Sequence, residues 1–328
     1  MNKAHFLYLL LWSLLFSCVQ KQEPLLRTSS GKINTVSVII NDALWNGEVG
    51  DTLRNKLAAP ILGLPKEEPI FTINQYTDKL VEGFITDSRT LIVVKKGLIT
   101  KFEIKKNQYA RPQTVFHITG VTTDTIIDLL ETHTSKIIEL IKDAEIATNQ
   151  KLNKESLLDP KIIANKFRIA LDIPSTFEYV MQKPRFLWLK KEIVSGSMSI
   201  LLYQVPLSTI NTKSPIASII KMRDSLGQLY IKGREAHTPM ITGEGYAPYW
   251  VKTQLDNRLV FESKGTWELN EDFMSGPFIN YAIFDEEYHR IMVLEGFCYS
   301  PADDKRDIMF ELESIIKSVH IIKRKNKK

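Results

Sequence analysis

A segment rich in aromatic residues contains the side chains best suited to bind a ligand. Residues 243–284 combine tyrosine, tryptophan and phenylalanine with glycine and proline. Aromatic rings in such loops can line a groove for a sugar, a peptide or an apolar ligand, while an arginine and a glutamate orient a polar group. The alternative is a loop folded over the core, with its rings buried. Five residues in or before this segment are the candidate ligand-binding residues: Arg223, Glu244, Tyr246, Trp250 and Trp267.

Recognisable catalytic motifs are missing from the sequence. It has no His-Glu-x-x-His, paired Cys-x-x-Cys, Walker-type phosphate loop or Gly-x-Ser-x-Gly pattern. Asp285-Glu286-Glu287 falls between two predicted strands, where a polar turn is favoured over a metal site built from Glu287 and His289. We therefore predict no catalytic residues, no metal and no cofactor. A hydrolase of the cell envelope, with a site built from scattered residues, is the alternative function.

The charge balance argues against nucleic acid as a partner. The chain of 328 residues has 43 Lys and Arg against 38 Asp and Glu, a net charge of +5, and 44% of its residues are hydrophobic. This excess of positive charge is too small to indicate a nucleic-acid-binding protein. The composition is that of an ordinary globular protein.

The N-terminus has the features of a secretory signal. Lys3 precedes an apolar run over residues 6–16, which as a helix would span only about 16 Å, too short for a hydrocarbon core of about 30 Å. Leu15-Phe16-Ser17-Cys18 then resembles a bacterial lipobox, in which the cysteine is acylated and begins the mature protein. We predict a signal peptide at residues 1–17, lipidation of Cys18 and a lipidated tether at residues 18–32.

The lipid anchor also determines the expected location. Several acyl chains on one residue suffice for stable anchoring in a membrane, so the rest of the chain needs no membrane-binding surface of its own. Lipoproteins exported to the cell surface often carry acids just after the cysteine, whereas here only Glu23 is acidic among residues 19–23. We expect the protein in the outer membrane, facing the periplasm.

The second cysteine of the mature chain is expected to be a structural thiol. If Cys18 is acylated, Cys298 has no partner for a disulfide. Cys298 lies in a strand-like apolar run without a histidine that the sequence places beside it. We predict a buried, reduced and dispensable thiol rather than a nucleophile.

The local patterns predict both helices and strands. A helix over 124–142 is capped by Thr123 or Asp124 and carries His133 on its apolar face, and a second covers 214–226. The last helix is capped by Ser300, with Pro301 at its first position. Lys95-Lys96-Gly97 is predicted as a hairpin turn, and residues 233–256 as irregular. Strands are predicted at 33–40, 70–74, 90–95, 98–105, 114–120, 167–173, 185–193, 197–205, 258–268, 278–285 and 290–299.

This order of elements predicts an α+β fold of two similar-sized halves. Consecutive strands favour mostly antiparallel sheets, packed against amphipathic helices. We place an N-terminal domain at 33–148 and a C-terminal domain at 162–322. The second half runs β-β-β-α-β-β-β-α, an order that resembles the sandwich of the PsbP and Mog1 type, without implying a function.

Several short motifs resemble a family of lipoproteins of the Bacteroidota that is defined only as a domain of unknown function. The motifs include Leu44-Trp45-Asn46-Gly47, Gly63-Leu64-Pro65, Gly276-Pro277-Phe278 and Ser300-Pro301. The resemblance covers nearly all of the mature chain and implies a lipoprotein with a single architecture, but no activity. We therefore expect a non-enzymatic binding or assembly role. The expected partners are the membrane, through the lipid anchor, and another envelope protein, an envelope glycan or a lipid.

Overall fold

The first half of the chain forms a five-stranded sheet covered on one face by helices. The computed structural model describes residues 26–78, 85–233, 235 and 237–324. The elements of the first half are β1 (Arg27–Thr28), β2 (Thr35–Ile40), α1 (Asp42–Trp45), α2 (Glu48–Leu57), β3 (Thr72–Tyr76), β4 (Thr90–Lys96), β5 (Lys101–Lys106), β6 (Ala110–Arg111), β7 (Thr114–Gly120) and α3 (Thr123–Asn153).

The pairing in this first sheet differs from the predicted hairpin. The strand order is β3-β2-β4-β7-β5, so β7 lies between β4 and β5, and the predicted hairpin at Lys95-Lys96-Gly97 is wrong. The segment Leu91-Ile92-Val93-Val94 is apolar on both faces, as is usual for an interior strand, and β4 lies between β2 and β7. Three of the four pairings are parallel because crossover connections, such as that through α2, return the chain to the same end of the sheet.

Helix α3 is longer than predicted and joins the two halves. Its N-cap is Thr122 rather than Thr123 or Asp124, since the Thr122 Oγ1 accepts from the Thr125 amide at 3.2 Å. Its first turns bury an apolar stripe against the sheet, and His133 stacks on Phe102 with 4.0 Å between the ring centroids. The helix continues five residues beyond 148, where its last turns meet the second half.

The second half is built around one antiparallel sheet. Its elements are α4 (Lys161–Phe167), β8 (Ile169–Ala170), β9 (Glu178–Lys183), β10 (Phe186–Ile193), β11 (Gly196–Val205), α5 (Pro215–Tyr230), β12 (Met240–Thr242), β13 (Tyr249–Leu255), β14 (Arg258–Leu269), β15 (Ser275–Asp285), β16 (Arg290–Tyr299), α6 (Arg306–Ile316) and β17 (His320–Ile321). Eight strands pair in the order β12-β14-β15-β16-β11-β10-β9, with β13 beside β14. The α+β class with mostly antiparallel sheets is thus confirmed.

The central strands of the large sheet are buried on both faces. Neighbouring residues of β16 alternate between two cores, with Met292 in one and Val293 in the other. Helix α6 contributes Leu312 to the first core, and α5 contributes Ile219 to the second. The sheet therefore separates α5 from α6, and this layering explains the near-continuous apolar sequence of β15 and β16.

Three further predictions about the second half are wrong. Residues 233–256 are not irregular throughout, because they contain β12 and β13. The strand predicted over 167–173 is reduced to β8, and Phe167 instead ends α4, where it shares a buried helix face with Ile163 four residues earlier. Helix α6 begins at Arg306 rather than at Pro301.

The start of α6 is determined by the first half of the chain. The Glu68 carboxylate accepts hydrogen bonds from the Lys305 amide at 2.8 Å and the Arg306 amide at 2.7 Å. Near the end of α6, the Asn149 amide of α3 donates to the Ser314 hydroxyl at 3.0 Å. The two halves are thus joined by polar contacts at both ends of α6. No helix in the described ranges is both long enough and apolar enough to cross a membrane.

Candidate functional site

The five predicted ligand-binding residues separate into an exposed and a buried group. Glu244, Tyr246 and Trp250 are exposed, Tyr246 by 79% and Trp250 by 38%. Arg223 and Trp267 are each 2% exposed and lie within the core between the large sheet and α5. The five side chains therefore do not share one groove.

The buried group is held by partners within the protein. Arg223 forms a bidentate ion pair with Glu295, with Nε–Oε2 at 2.9 Å and Nη2–Oε1 at 2.8 Å, and its guanidinium lies 3.3 Å above the Phe278 ring. The Trp267 indole donates to the Cys298 carbonyl at 3.2 Å. Burial and the Glu295 charge raise the pKa of Tyr203 well above its ordinary value. Arg223 and Trp267 are thus part of the core. The sequence patterns did not identify Glu295, the acid within the apolar strand β16, as the partner of Arg223.

Of the exposed group, Trp250 lies on β13, whereas Glu244 and Tyr246 lie in the segment just before that strand. Among the described strands β13 pairs with β14 alone, along its whole length, and its other side has no strand partner. Trp250 packs edge-on against Phe261 with 5.8 Å between centroids, and Phe261 packs likewise against Phe284 at 5.3 Å. This row anchors the Trp250 ring to the sheet while leaving part of it exposed. We name Tyr246, Tyr249, Trp250 and the free side of β13 the β13 edge.

The turn after β13 determines which backbone groups face outward. Asp256 and Asn257 have φ of 51° and 58°, as in a two-residue turn of type I′. Leu255 and Arg258 are therefore the first hydrogen-bonded pair, and such pairs alternate along an antiparallel ladder. It follows that the backbone N–H and C=O groups of Trp250, Lys252 and Gln254 point away from β14.

A second candidate site is a cavity of about 70 Å³ between the two halves. Its walls come from the segment before β3, the middle of α3, the strands β14 and β15, and α6. The lining is mostly apolar, with four charged side chains: Lys142, Lys264, Arg306 and Glu313. Sequence reasoning missed this site, because residues far apart in the sequence form it and no local pattern links them.

The charged groups beside the cavity shift each other's pKa. Lys264 Nζ lies 2.9 Å from Glu262 and 3.3 Å from Glu313, whose other oxygen is 2.8 Å from Lys317 Nζ. Burial alone would raise the pKa of Glu313, but Lys264 and Lys317 lower it to about 2. Burial likewise opposes protonation of Lys264, yet the two carboxylates raise its pKa. These groups form a compact ionised network.

A cluster of charged side chains surrounds the turn between β15 and β16. This turn, at Glu286–Tyr288, confirms the polar turn that the sequence predicted. The Asp285 carboxylate is 2.9 Å from Arg290, and Asp256 is 2.8 Å from Arg258. Glu287 is 3.4 Å from Arg258. Each carboxylate thus faces an arginine. In the part of the chain that the structure describes, no three His, Cys, Asp or Glu side chains are grouped to hold a metal ion.

The two cysteines differ in what the structure shows. Cys18, the predicted lipidation site, lies outside the described residues. Cys298 is free, fully buried and part of the core, as predicted. Burial raises the pKa of its thiol to about 12, so the thiol is protonated and unreactive at neutral pH.

Comparison with protein families assigns both halves to uncharacterised domains. Residues 156–318 match the family model of a domain of unknown function, DUF4837. Residues 29–154 match that of a second domain of unknown function, DUF8532. No curated protein matches the chain.

Among solved structures, the chain is similar in part to Mog1. The 1.9 Å crystal structure of the Ran-binding protein Mog1p of Saccharomyces cerevisiae has 11% identity and a TM-score of 0.30, over 48% of this chain and 91% of that chain. A point mutant of Mog1 has 11% identity and a TM-score of 0.29, over 48% and 92% of the two chains.

Proposed function

We propose that this protein is a lipid-anchored binding or assembly factor of the bacterial cell envelope that holds an extended segment of another protein along the β13 edge. Acylated Cys18 would anchor it in the outer membrane, facing the periplasm, as expected of a lipoprotein of the Bacteroidota. The observation that carries the binding role is an unpaired sheet edge that also presents exposed aromatic rings.

An extended polypeptide fits this edge better than a glycan or a lipid. The outward N–H and C=O groups of Trp250, Lys252 and Gln254 repeat at the spacing of a β-strand, and only another extended backbone offers matching donors and acceptors. Tyr246 and Trp250 would then contact side chains of the added strand.

The β13 edge has fewer of the features that usually prevent such pairing than the opposite edge of the sheet. Soluble proteins protect their sheet edges with charged residues, with proline or with a covering segment. Lys252 is the only charged residue of β13, and proline occurs only before the strand, at Pro248. The opposite edge, β9, carries Glu178 and Lys183 and is followed by Pro184. The difference supports a docking role for β13.

The edge can be tested by changing one backbone group. Lys252→Pro removes an outward N–H that β14 does not use, whereas Lys252→Ala removes the same charge and keeps that N–H. A photo-crosslinking residue at position 246 would first identify the partner in intact cells, with position 180 on β9 as the control. We expect Lys252→Pro to lose the crosslink and Lys252→Ala to keep it. Equal crosslinking in both variants, or equal crosslinking from both edges, would contradict the proposal.

The anchor is tested separately. Cys18→Ser should abolish labelling with a palmitate analogue and either release the protein from membranes or block its processing. Cys298→Ser serves as the control and should keep the label. If the Cys18→Ser protein is still cleaved after residue 17 and remains in the membrane fraction, Cys18 is not the anchor.

A further inference from the structure

One cation of the cavity between the halves has no ion-pair partner among the residues that the structure describes. Lys264 is paired with Glu262 and Glu313, and Arg306 is paired with Asp307 at 2.8 Å. Lys142, on α3, lines the same cavity but has no hydrogen bond or ion pair with any residue in the described part of the chain. The Glu313 carboxylate is already shared by Lys264, Lys317 and the Tyr281 hydroxyl. Lys142 is therefore the group available to an added anion.

The surroundings of Lys142 favour an anion there. Its pKa is lowered, first because the packed protein displaces part of its hydration and second because the Lys264 ammonium repels it. A carboxylate beside Lys142 would reverse both effects by replacing the lost water and screening Lys264. Lys142 itself lies on the solvent side of the cavity, so an anion can reach it from outside.

Apart from the paired charges of Lys264, Arg306 and Glu313, most of the cavity lining is apolar, and the space is small. Ile146, Ile279 and Met309 are buried there, while Leu62, on the opposite wall, is 58% exposed. A volume of 70 Å³ is about half that of an engineered apolar cavity that admits benzene. The space therefore suits a tail of about two or three carbon atoms rather than a ring or a long acyl chain.

We propose that this cavity binds a short-chain monocarboxylate, with the carboxylate paired to Lys142 and the alkyl tail enclosed between the two halves. Propionate and butyrate are the ligands whose size and charge fit best. Because both halves line the cavity, the bound carboxylate would also hold α3 and α6 together. This site is distinct from the β13 edge, whose residues do not line the cavity.

The experiment measures binding of sodium salts of the series from formate to hexanoate to the mature chain by calorimetry, supported by NMR of carboxyl-labelled propionate. We expect saturable binding in the high micromolar to millimolar range, with an affinity that rises about fourfold per methylene from formate to butyrate. Lys142→Met should weaken propionate binding at least about tenfold, while Lys142→Arg should retain it because it keeps the charge.

A matched control lies on the same helix. Lys151 is exposed, has no ion pair with any described residue and does not line the cavity. Lys151→Met should therefore bind propionate as the wild type does. The proposal is overturned if no saturable binding occurs up to about 50 mM. Equal binding of propionate by Lys142→Met and the wild type also overturns it. So does a finding that formate binds as tightly as butyrate, because that would indicate a general anion effect. None of these outcomes bears on the β13 edge.

Discussion

At the scale of single residues, the second core contains a charge pair shielded from water. Arg223 and Glu295 each have a side chain that is 1% exposed, and Asn280 donates a further hydrogen bond to Glu295 at 2.7 Å. Transfer of two charges out of water is unfavourable, and their mutual attraction offsets this only while both partners are present. We therefore expect the pair to fix the position of α5 on the sheet rather than to add much net stability.

Removal of one partner should reveal this dependence. Arg223→Met leaves a buried carboxylate without its counter-charge and should lower the free energy of unfolding by about 3–5 kcal/mol. The double variant Arg223→Met with Glu295→Gln keeps the hydrogen bond from Asn280 and removes both charges, so it should recover most of that loss. Urea denaturation of the two single variants and the double variant measures this coupling. A loss below about 1 kcal/mol in Arg223→Met would show that the charge is not buried in solution.

The Cys298 thiol gives a second prediction at this scale. Because burial raises its pKa to about 12, a thiol reagent should not label it in native protein at pH 7 but should label it rapidly in urea. Cys298→Ala removes only one sulfur atom from the core and should lower stability by about 1–2 kcal/mol. Rapid labelling of the native protein would contradict this.

At the scale of elements, the N-terminus of α6 depends on a residue that is distant in sequence. Glu68 is 4% exposed and accepts the amide hydrogen bonds of Lys305 and Arg306, which no local side chain caps. A carboxylate at this place also opposes the positive end of the helix dipole. Ser300 and Pro301 are residue types suited to a helix start, but the tertiary contact places the start of α6 five residues later, at Arg306.

Glu68→Ala should therefore destabilise α6 from a site in the other half of the chain. We expect a loss of about 1–2 kcal/mol in the free energy of unfolding, together with faster amide hydrogen exchange at residues 306–309. The neighbouring Glu67 is exposed, so Glu67→Ala should change neither quantity. Unchanged exchange in Glu68→Ala would mean that α6 is capped otherwise in solution.

At the scale of the whole molecule, the ionised network beside the cavity lies where the two halves meet. The pKa of Glu313 is about 2 in the folded protein and ordinarily about 4.5. An acid whose pKa is lowered by folding stabilises the fold at any pH above its ordinary pKa. This contribution is lost as the pH falls toward the pKa of the folded protein. The stability of the fold should therefore fall between about pH 4.5 and pH 2.

A comparison of Glu313→Gln with the wild type isolates this effect. The variant should be less stable by at most about 3 kcal/mol at neutral pH, and the difference should shrink as the pH falls from about 4.5 to 2. Urea midpoints measured across that range give the difference directly. Glu311→Gln, which removes the partner of Lys191 on the same helix, should cost less than about 1 kcal/mol. A difference that stays constant with pH would contradict the role of Glu313.

The sequence alone determined the features that depend on neighbouring residues. The apolar stripe of α3, the long apolar strands of the second half and the burial of Cys298 follow from local periodicity and apolar content, which the structure confirms. The α+β class follows from the order of those elements. The half-exposed strand β13 escaped detection because its apolar residues do not form a continuous run.

Tertiary structure decided every feature that joins distant residues. Insertion of β7 between β4 and β5, capping of α6 by Glu68 and pairing of Arg223 with Glu295 each depend on geometry that local patterns do not encode. Among the predicted binding residues, Arg223 and Trp267 looked similar to Tyr246 and Trp250 in sequence. The structure distinguishes the two pairs: Arg223 and Trp267 are buried in the core beside α5, whereas Tyr246 and Trp250 are exposed at the β13 edge. Burial depends on how the layers assemble and not on the residue type alone.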